Sequence, residues 1–278
     1  MARTTSLIPE QRRQEILRHL RREQVLSYRQ LTELIGVSHM TARRDVALLA
    51  EQGRVIATPG GASLVTRQLV EPLRAQKSVI DLPQKTAIAK AAAAMVSDSM
   101  TIYLDAGTTV QAMRPFLQER EGLTVVTNDL KTVQAFLDHP STDLICIGGR
   151  VDSDNQSTIG RLAALTLQEL SLDIAFLSCS SWDGRHGITT PVEAKIEAKR
   201  AAHGAATSTV LMASSGKYGS FAKYRVLRLQ ELDVIITDDG FAVDDLKELP
   251  ADGTEVIRAA GDAVAGNPAP DPEMLPGK

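Results

Sequence analysis

The 278 residues are enough for two ordinary domains, and 43% hydrophobic with 23% charged residues is the balance of a soluble globular chain. No run approaches the roughly 18 apolar residues of a membrane span. No secretory leader is expected, and Cys146 and Cys179, both in apolar strand-like runs, read as buried free thiols of a reducing cytoplasm rather than a disulfide framework.

The net charge of −3 is unevenly spread: residues 1–66 hold ten arginines against six carboxylates, a surplus of four, so the remainder carries a deficit of seven. No lysine precedes Lys77. An arginine-rich first segment suits phosphate and guanine edges, whereas an acidic second segment does not, which points to a nucleic-acid contact on the first domain alone.

Residues 8–65 read as three helices and a hairpin. The first helix opens near Pro9 and turns Ile16, Leu17 and Leu20 inward. Ser27 is placed to cap the second, whose Leu31, Leu34 and Ile35 fall at i, i+3 and i+4. Gly36-Val37 makes a tight turn, Ser38 caps the third helix, and Gly53 stops it after Gln52. Short strands at 54–57 and 62–65 flank a Thr58-Pro59-Gly60-Gly61 tip. This order is that of a winged helix-turn-helix.

On the third helix Ala42, Val46 and Leu49 share one face, and Met40, Arg43, Arg44 and Ala47 lie broadly opposite. The first face docks on the other helices; the second is free to enter a major groove, with Arg43 and Arg44 reaching phosphates or guanine O6/N7. Ser38, His39 and Thr41 sit at the helix N-terminus, where amides favour phosphate, and Gly60-Gly61 would let the wing approach the backbone. Two arginines on an outer face are by themselves ordinary solvated surface; the capped turn, the apolar spacing and the wing make them a reading face.

Residues 66–81, mixed and containing Pro72, are the expected linker. From 82 to about 260 apolar strands (101–104, 123–127, 144–147, 174–178, 209–212, 234–237) alternate with helical stretches (85–96, 109–117, 130–137, 161–170, 193–206), predicting a mostly parallel α/β sheet covered on both faces. The tail 261–278, with four prolines in its last eleven residues, is expected to be disordered.

The first of these strands ends in LDAGTT (104–109). Gly107 allows close backbone approach, Thr108 and Thr109 offer hydroxyls, and Asp105 stands beside them, a candidate phosphate cradle. The next strands end in Thr127-Asn128 and Gly148-Gly149-Arg150, expected on the same sheet edge. Arg150 and Lys217 are candidate cations, and His186 in a loop is a further candidate ligand contact or simply a solvated histidine. The five histidines give no HxxxH or HExxH spacing and no CxxC occurs, so neither a metal nor another cofactor is expected.

The first domain resembles the DeoR-type winged helix through LTEL (31–34), GVS (36–38), TARRDV (41–46) and GGA (60–62), departing at Ala42, where the family more often has isoleucine. The second resembles the DeoR-family sensor domain, related in fold to ribose-5-phosphate isomerase, through DAGTT (105–109), VVTN (125–128), IGG (147–149), LDIAFL (172–177), GIT (187–189) and SGKYG (215–219). The resemblance implies a repressor of a carbohydrate or sugar-acid operon, released by a phosphorylated sugar or sugar acid. Two positions depart from the family pattern: Ser214 stands where an aspartate is common, and Gly216 where a serine is frequent.

Two other classes stay open. A sugar-phosphate isomerase of this fold needs a carboxylate base, but after the 172–177 segment the chain gives Ser178-Cys179-Ser180-Ser181, with Asp183 and Glu193 the nearest acids. An architectural DNA-binding protein would bind DNA without any effector. A dimer or tetramer is expected, because one winged helix buries too little DNA for a tight complex with double-stranded operator.

Overall fold

Helix α1 (Pro9–Glu23) begins on a proline, whose missing N–H costs nothing in a first turn. It is followed by β1 (Val25–Ser27), α2 (Tyr28–Ile35), α3 (His39–Glu51), β2 (Val55–Thr58) and β3 (Gly61–Leu64). Ser27 caps α2: its hydroxyl accepts from Gln30 N, and the Gln30 side chain accepts from Ser27 N at 2.9 Å. Gly36, in the left-handed region at φ 66°, closes α2, and Ser38 accepts from Thr41 N to open α3. Ile16, Leu17, Leu20, Leu31, Val46 and Leu49 form the core.

The structure describes residues 7–52, 54–64, 67–139, 141–243, 246, 249 and 253–261. The expected Gly53 stop, the strand end at Val65 and the tail from Asp262 lie outside them.

Three details differ from expectation. The wing strands sit one residue from the anticipated register, across a Pro59-Gly60 turn. β1 adds a third strand, giving the antiparallel order β1-β3-β2; at three residues it is too short to carry a periodicity. Leu34 is exposed, because α2 is short and its buried stripe is closed by Tyr28, Leu31 and Ile35.

The anticipated linker is built structure. β4 (Arg67–Gln68) pairs in parallel with a strand of the second domain, and α4 (Arg74–Ser78) follows. Arg74 is buried and ion-paired to Asp129 at 2.9 Å, with Gln111 Oε1 accepting from it at 2.8 Å. Its charge is met by groups that lie 37 and 55 residues away in sequence, so no local signal marks it.

The second domain runs α5 (Leu82–Ala93), β5 (Thr101–Leu104), α6 (Thr108–Gln111), β6 (Thr124–Thr127), α7 (Leu130–Phe136), β7 (Asp143–Cys146), β8 (Arg150–Asp152), β9 (Ser157–Ile159), α8 (Arg161–Gln168) and β10 (Leu172–Leu177). It continues through β11 (Ser181–Asp183), β12 (Gly187–Thr190), α9 (Lys195–Ala205), β13 (Ala206–Met212), β14 (Phe221–Ala222), β15 (Tyr224–Leu227), β16 (Val234–Asp238) and β17 (Glu255–Ala259).

Seven strands form one parallel sheet in the order β17-β16-β13-β10-β5-β6-β7. Alternate residues feed opposite faces: Ile174 and Phe176 pack with α5, whereas Ala175 and Leu177 pack with α8 and α9. Strand order runs outward from β5 to β7, then restarts at β10 on the other side of β5. The switch point therefore lies between β5 and β10, where residues 104–107 and 177–180 leave the sheet, and open α/β sheets place ligands at such a point.

Of the two thiols, Cys179 is buried as expected, and burial pushes its pKa up. Cys146 is exposed, because β7 is the edge of the sheet.

Candidate functional site

Two surfaces carry chemistry. On α3, Met40, Arg43, Arg44 and Ala47 are exposed while Ala42, Val46 and Leu49 are fully buried. Arg43 lies 5.5 Å over the Tyr28 ring, and His39 meets the same ring edge-on at 5.3 Å. Ser38 and Thr41 share a 2.8 Å hydroxyl contact at the helix start. The aspartate that follows the arginines was missed: Asp45 is buried and accepts from Arg12 at 2.8 Å, with Arg13 at 3.8 Å, so it fixes the pitch of α3 against α1. Its place between Arg44 and Val46, on the buried side of a helix otherwise apolar there, was the available signal.

The two wing glycines differ in role. Gly60 is exposed with open space around it. Gly61 is buried, and a Cβ there would overlap the Leu26 carbonyl. It therefore lets β3 close on β1 and is not presented to a ligand.

The second surface is a cavity of ≈ 150 Å³ at the switch point. That is roughly ten times the space one water needs by the same measure, room for a small metabolite. Thr108, Thr109, Gly107 and Lys217 line it together with Ser178, Lys77 and Lys85. Helix α6 is a single turn, so its dipole contributes little and the anion-attracting power comes from side chains.

Those side chains are cations in an electrostatic conflict. Lys85 is buried, with Nζ donating to the carbonyls of Lys77 and of Ile80, the latter at 2.6 Å. Lys217 Nζ donates to the Cys179 carbonyl at 2.8 Å. Among the described residues neither makes a salt bridge. Burial, with Lys217 nearby, lowers the Lys85 pKa to about 8. Burial likewise lowers that of Lys77 to about 8, against the help of Glu71, with Lys195 and Lys217 adding repulsion. The two carboxylates of the cavity are committed: Asp81 pairs with Arg54 at 3.1 Å, and Glu71 with Lys77 at 2.6 Å and with Lys195. Although burial pushes the Glu71 pKa up, Lys195 and Lys77 outweigh it and hold it at about 2, so it is no proton acceptor near neutrality.

Asp105, Asn128 and Thr127, also expected at this site, do not line the cavity but brace the loops that do. Asp105 accepts from Ser178 N and Oγ at 2.8 and 2.7 Å and pairs with buried Lys199, which locks the β5 and β10 ends together. Asn128 accepts from Ala106 N and Tyr103 OH at 2.9 Å and donates to the Thr158 carbonyl, so its hydrogen-bonding capacity goes to shaping the 105–107 loop. Thr127 Oγ1 donates to the Leu104 carbonyl at 2.6 Å.

Gly148, Gly149 and Arg150 are not at the cavity. They are exposed and start the β8-β9 hairpin, because β7 lies two strands from the switch point. His186 also stands apart, stacked on Phe221 at 4.2 Å and held by Asp183 at 2.7 Å.

Several site residues escaped sequence reading. Lys77, Lys85, Arg54 and Glu71 come from the wing root, the supposed linker and the first turn of α5, with no shared motif. Lys195 and Lys199 left a trace: they stand at i, i+4 on the same buried helix face as Ala198 and Ala202.

A model of the DeoR-like helix-turn-helix domain matches residues 12–68, and one of the DeoR C-terminal sensor domain matches residues 81–239. The chain is 43% identical to the HTH-type transcriptional regulator YgbI of Escherichia coli K12, over 84% of this chain and 91% of that one. It is 31% identical to the transcriptional repressor AccR of Agrobacterium fabrum (82% and 89% covered) and 30% identical to the HTH-type transcriptional repressor GlcR of Bacillus subtilis (82% and 88%). Ribose 5-phosphate isomerase A of Methanocaldococcus jannaschii superposes with a TM-score of 0.36 at 16% identity, over 48% of this chain and 53% of that one.

Proposed function

This chain belongs to the DeoR family of helix-turn-helix transcriptional regulators, and from that premise we propose that it is a repressor whose operator affinity is set by a phosphorylated sugar or sugar acid bound at the β5/β10 switch point. The carrying observation is the cavity itself: buried Lys85, with Lys77 and Lys217, lines it beside Thr108 and Thr109, and among the described residues neither Lys85 nor Lys217 makes a salt bridge, the nearby Asp81 being paired with Arg54. A dianionic phosphate would relieve that repulsion. The hydroxyl-rich loops at 178–180 and 214–220 suit the polar body of a sugar.

The repressor reading also draws on the relatives that carry that name. On the DNA side, Arg43 and Arg44 read base edges or phosphates beside Met40 on the groove face, Ser38, His39 and Thr41 meet the backbone, and Gly60 lies at the tip of the wing. The acting form is a homo-oligomer on paired half-sites. The exposed apolar residues Leu69, Val79 and Leu82 give a second copy a surface beside the cavity. No helix among the described residues is long and apolar enough to cross a membrane, and an operator as target supports a cytoplasmic protein.

An isomerase reading fares worse, since the cavity's carboxylates are held in ion pairs and Asp105 is tied to Ser178 and Lys199. The test is titration of the chain against the DNA upstream of its own gene, with excess competitor DNA, repeated across a panel of sugar phosphates. Specific binding that one compound changes supports the reading. Specific binding that no compound alters, with no compound bound by the protein, removes the effector half.

A further inference from the structure

The cavity is not closed by the sensor domain alone. Three of its lining residues, Gln52, Arg54 and Leu64, belong to the winged helix, at the end of α3 and the two roots of the wing. Arg54 leaves the chain just before β2 and crosses the domain boundary. Its Nη1 donates to Asp81 Oδ1 at 3.1 Å, and its Nη2 is buried with no hydrogen-bond partner. The side chain as a whole is 11% exposed. Gln52 Oε1, also buried, is unpartnered as well. Two residues of one domain, each with an unpaired buried polar atom, therefore line a cavity to which the rest of the chain contributes Lys77, Lys85 and Lys217.

Gly216 completes the arrangement. Any Cβ at that position would overlap Arg54 Nη2 and crowd Cζ. The glycine that stands where the family frequently has serine is thus the seat on which the guanidinium rests. Arg21 of α1 reinforces the contact by donating to the Ser215 carbonyl.

We propose that Arg54, from the DNA-binding domain, is an effector ligand: its free Nη2 donates to the anion held by Lys85 and Lys217, so that one bound phosphate group touches both domains. This rests on the cavity being the effector site. An unpaired guanidinium N–H is costly to bury, and an anionic oxygen is the acceptor that recovers the loss. The consequence is a direct coupling. An anion that gains a contact only while the winged helix is docked on the sensor domain favours the docked arrangement by the same factor that docking favours the anion. For a repressor released by its effector, docked is the operator-free form, and no relay through the sheet is needed.

The experiment is calorimetric titration of the full chain with inorganic phosphate and with the sugar-phosphate panel at low ionic strength, on four proteins: wild type, Arg54→Gln, Asp81→Asn and Lys217→Met. Arg54→Gln removes the proposed donor; Asp81→Asn breaks the interdomain ion pair but leaves the guanidinium in place. If Arg54 is a ligand, Arg54→Gln weakens anion binding at least ten-fold, whereas Asp81→Asn leaves it equal or tighter, since a negative charge is lost from the wall.

If Arg54 is only a strut between domains, the two variants weaken binding alike, and the inference falls. Unchanged affinity in Arg54→Gln, with loss in Lys217→Met, also overturns the inference while leaving the effector site standing. No saturable binding by the wild type, or full binding by Lys217→Met, overturns the site itself and the inference with it. Circular dichroism melts of each variant identify misfolding, and Arg54→Lys, which keeps the charge without the second donor, supplies an intermediate affinity if the reading holds.

Discussion

The exposed face of α3 and the switch-point cavity are built on opposite plans. The first is contiguous: residues 38–47 present six exposed residues on a helix whose cap, turn and buried stripe are all local. The second is assembled from the wing root, the 70–81 segment, α5 and the loops after β5, β10 and β13, so its charges meet only after the sheet has formed. A surface helix exposes cations at little cost, because water screens them. A cavity that buries Lys85 carries a penalty that its ligand has to offset. The first surface is charged but solvated, and the second concentrates buried positive charge in a small space.

The sharpest break of that comparison is to remove one surface and ask whether the other notices. Replacing Arg43 and Arg44 together by alanine should lower specific operator affinity by about 2–6 kcal/mol, taking roughly 1–3 kcal/mol per base-reading side chain. Inorganic phosphate binding should stay within about two-fold, since neither residue lines the cavity. Competition gel shifts and calorimetry read the two quantities. Loss of phosphate binding in the double variant would show that the surfaces are not separable as described.

Gly61→Ala probes the wing from inside. The added methyl meets the Leu26 carbonyl oxygen, backbone that has nowhere to retreat within a three-stranded sheet, so the winged domain should lose about 3 kcal/mol. A thermal melt monitored through the N-terminal domain detects this. Gly60→Ala, with open space around it, should melt as the wild type. Equal behaviour of the two glycines would return both to the role the sequence suggested, a tip that lets the wing approach the DNA backbone.

That glycine pair illustrates how far the sequence carried. Local signals were legible: the Ser27 and Ser38 caps, the Gly36 turn, the Ala42-Val46-Leu49 stripe and each strand of the parallel sheet up to β16 reflect interactions within a few residues. Cavity-lining positions were legible where a motif coincides with the switch point, as at Gly107, Thr108 and Thr109. They failed where strand order decides: Gly148 to Arg150 end a strand as the others do, but that strand is an edge, and strand order is not written in any one segment. Asp105, Thr127 and Asn128, expected as ligand contacts, lie outside the cavity lining, and their polar atoms are consumed by Ser178, Leu104, Ala106 and Thr158, partners that become visible only in three dimensions.

The cavity's conflict has a pH signature that the exposed face lacks. Lys77 and Lys85 have pKa values near 8 in the folded chain, against about 10.4 for an unperturbed lysine. Between these limits the unfolded chain holds more protons than the folded one, so stability should rise as pH climbs from about 8 toward 10, and the penalty is fully present below 8. Anion binding runs the other way, because an anion wants both lysines charged. Sulfate, which does not titrate in this range, should bind with constant affinity below about pH 7.5 and lose at least about ten-fold by pH 9.5. Lys85→Met should bind more weakly and with a shallower slope. A wild-type profile that is flat to pH 9.5 would mean the lysines do not contact the anion.

The smallest expected effect separates two roles that coincide at Ser38. Its hydroxyl caps α3 through Thr41 N at 3.2 Å, and it also stands exposed at the N-terminal end of that helix, where a DNA phosphate is proposed to lie. Ser38→Ala should cost the winged domain about 1 kcal/mol, the ordinary value of an N-cap. Lower operator affinity in that variant would be ambiguous, arising from a frayed helix or from a lost phosphate contact. Ser38→Asp resolves it. Aspartate caps as well as serine and its charge suits a helix N-terminus, so stability should match the wild type. In the bound state the same carboxylate would face a phosphate, and operator affinity should fall below that of Ser38→Ala. If Ser38→Asp instead restores both stability and DNA binding, Ser38 is a cap and nothing more, and the DNA contacts begin further along α3, at Met40 or Arg43.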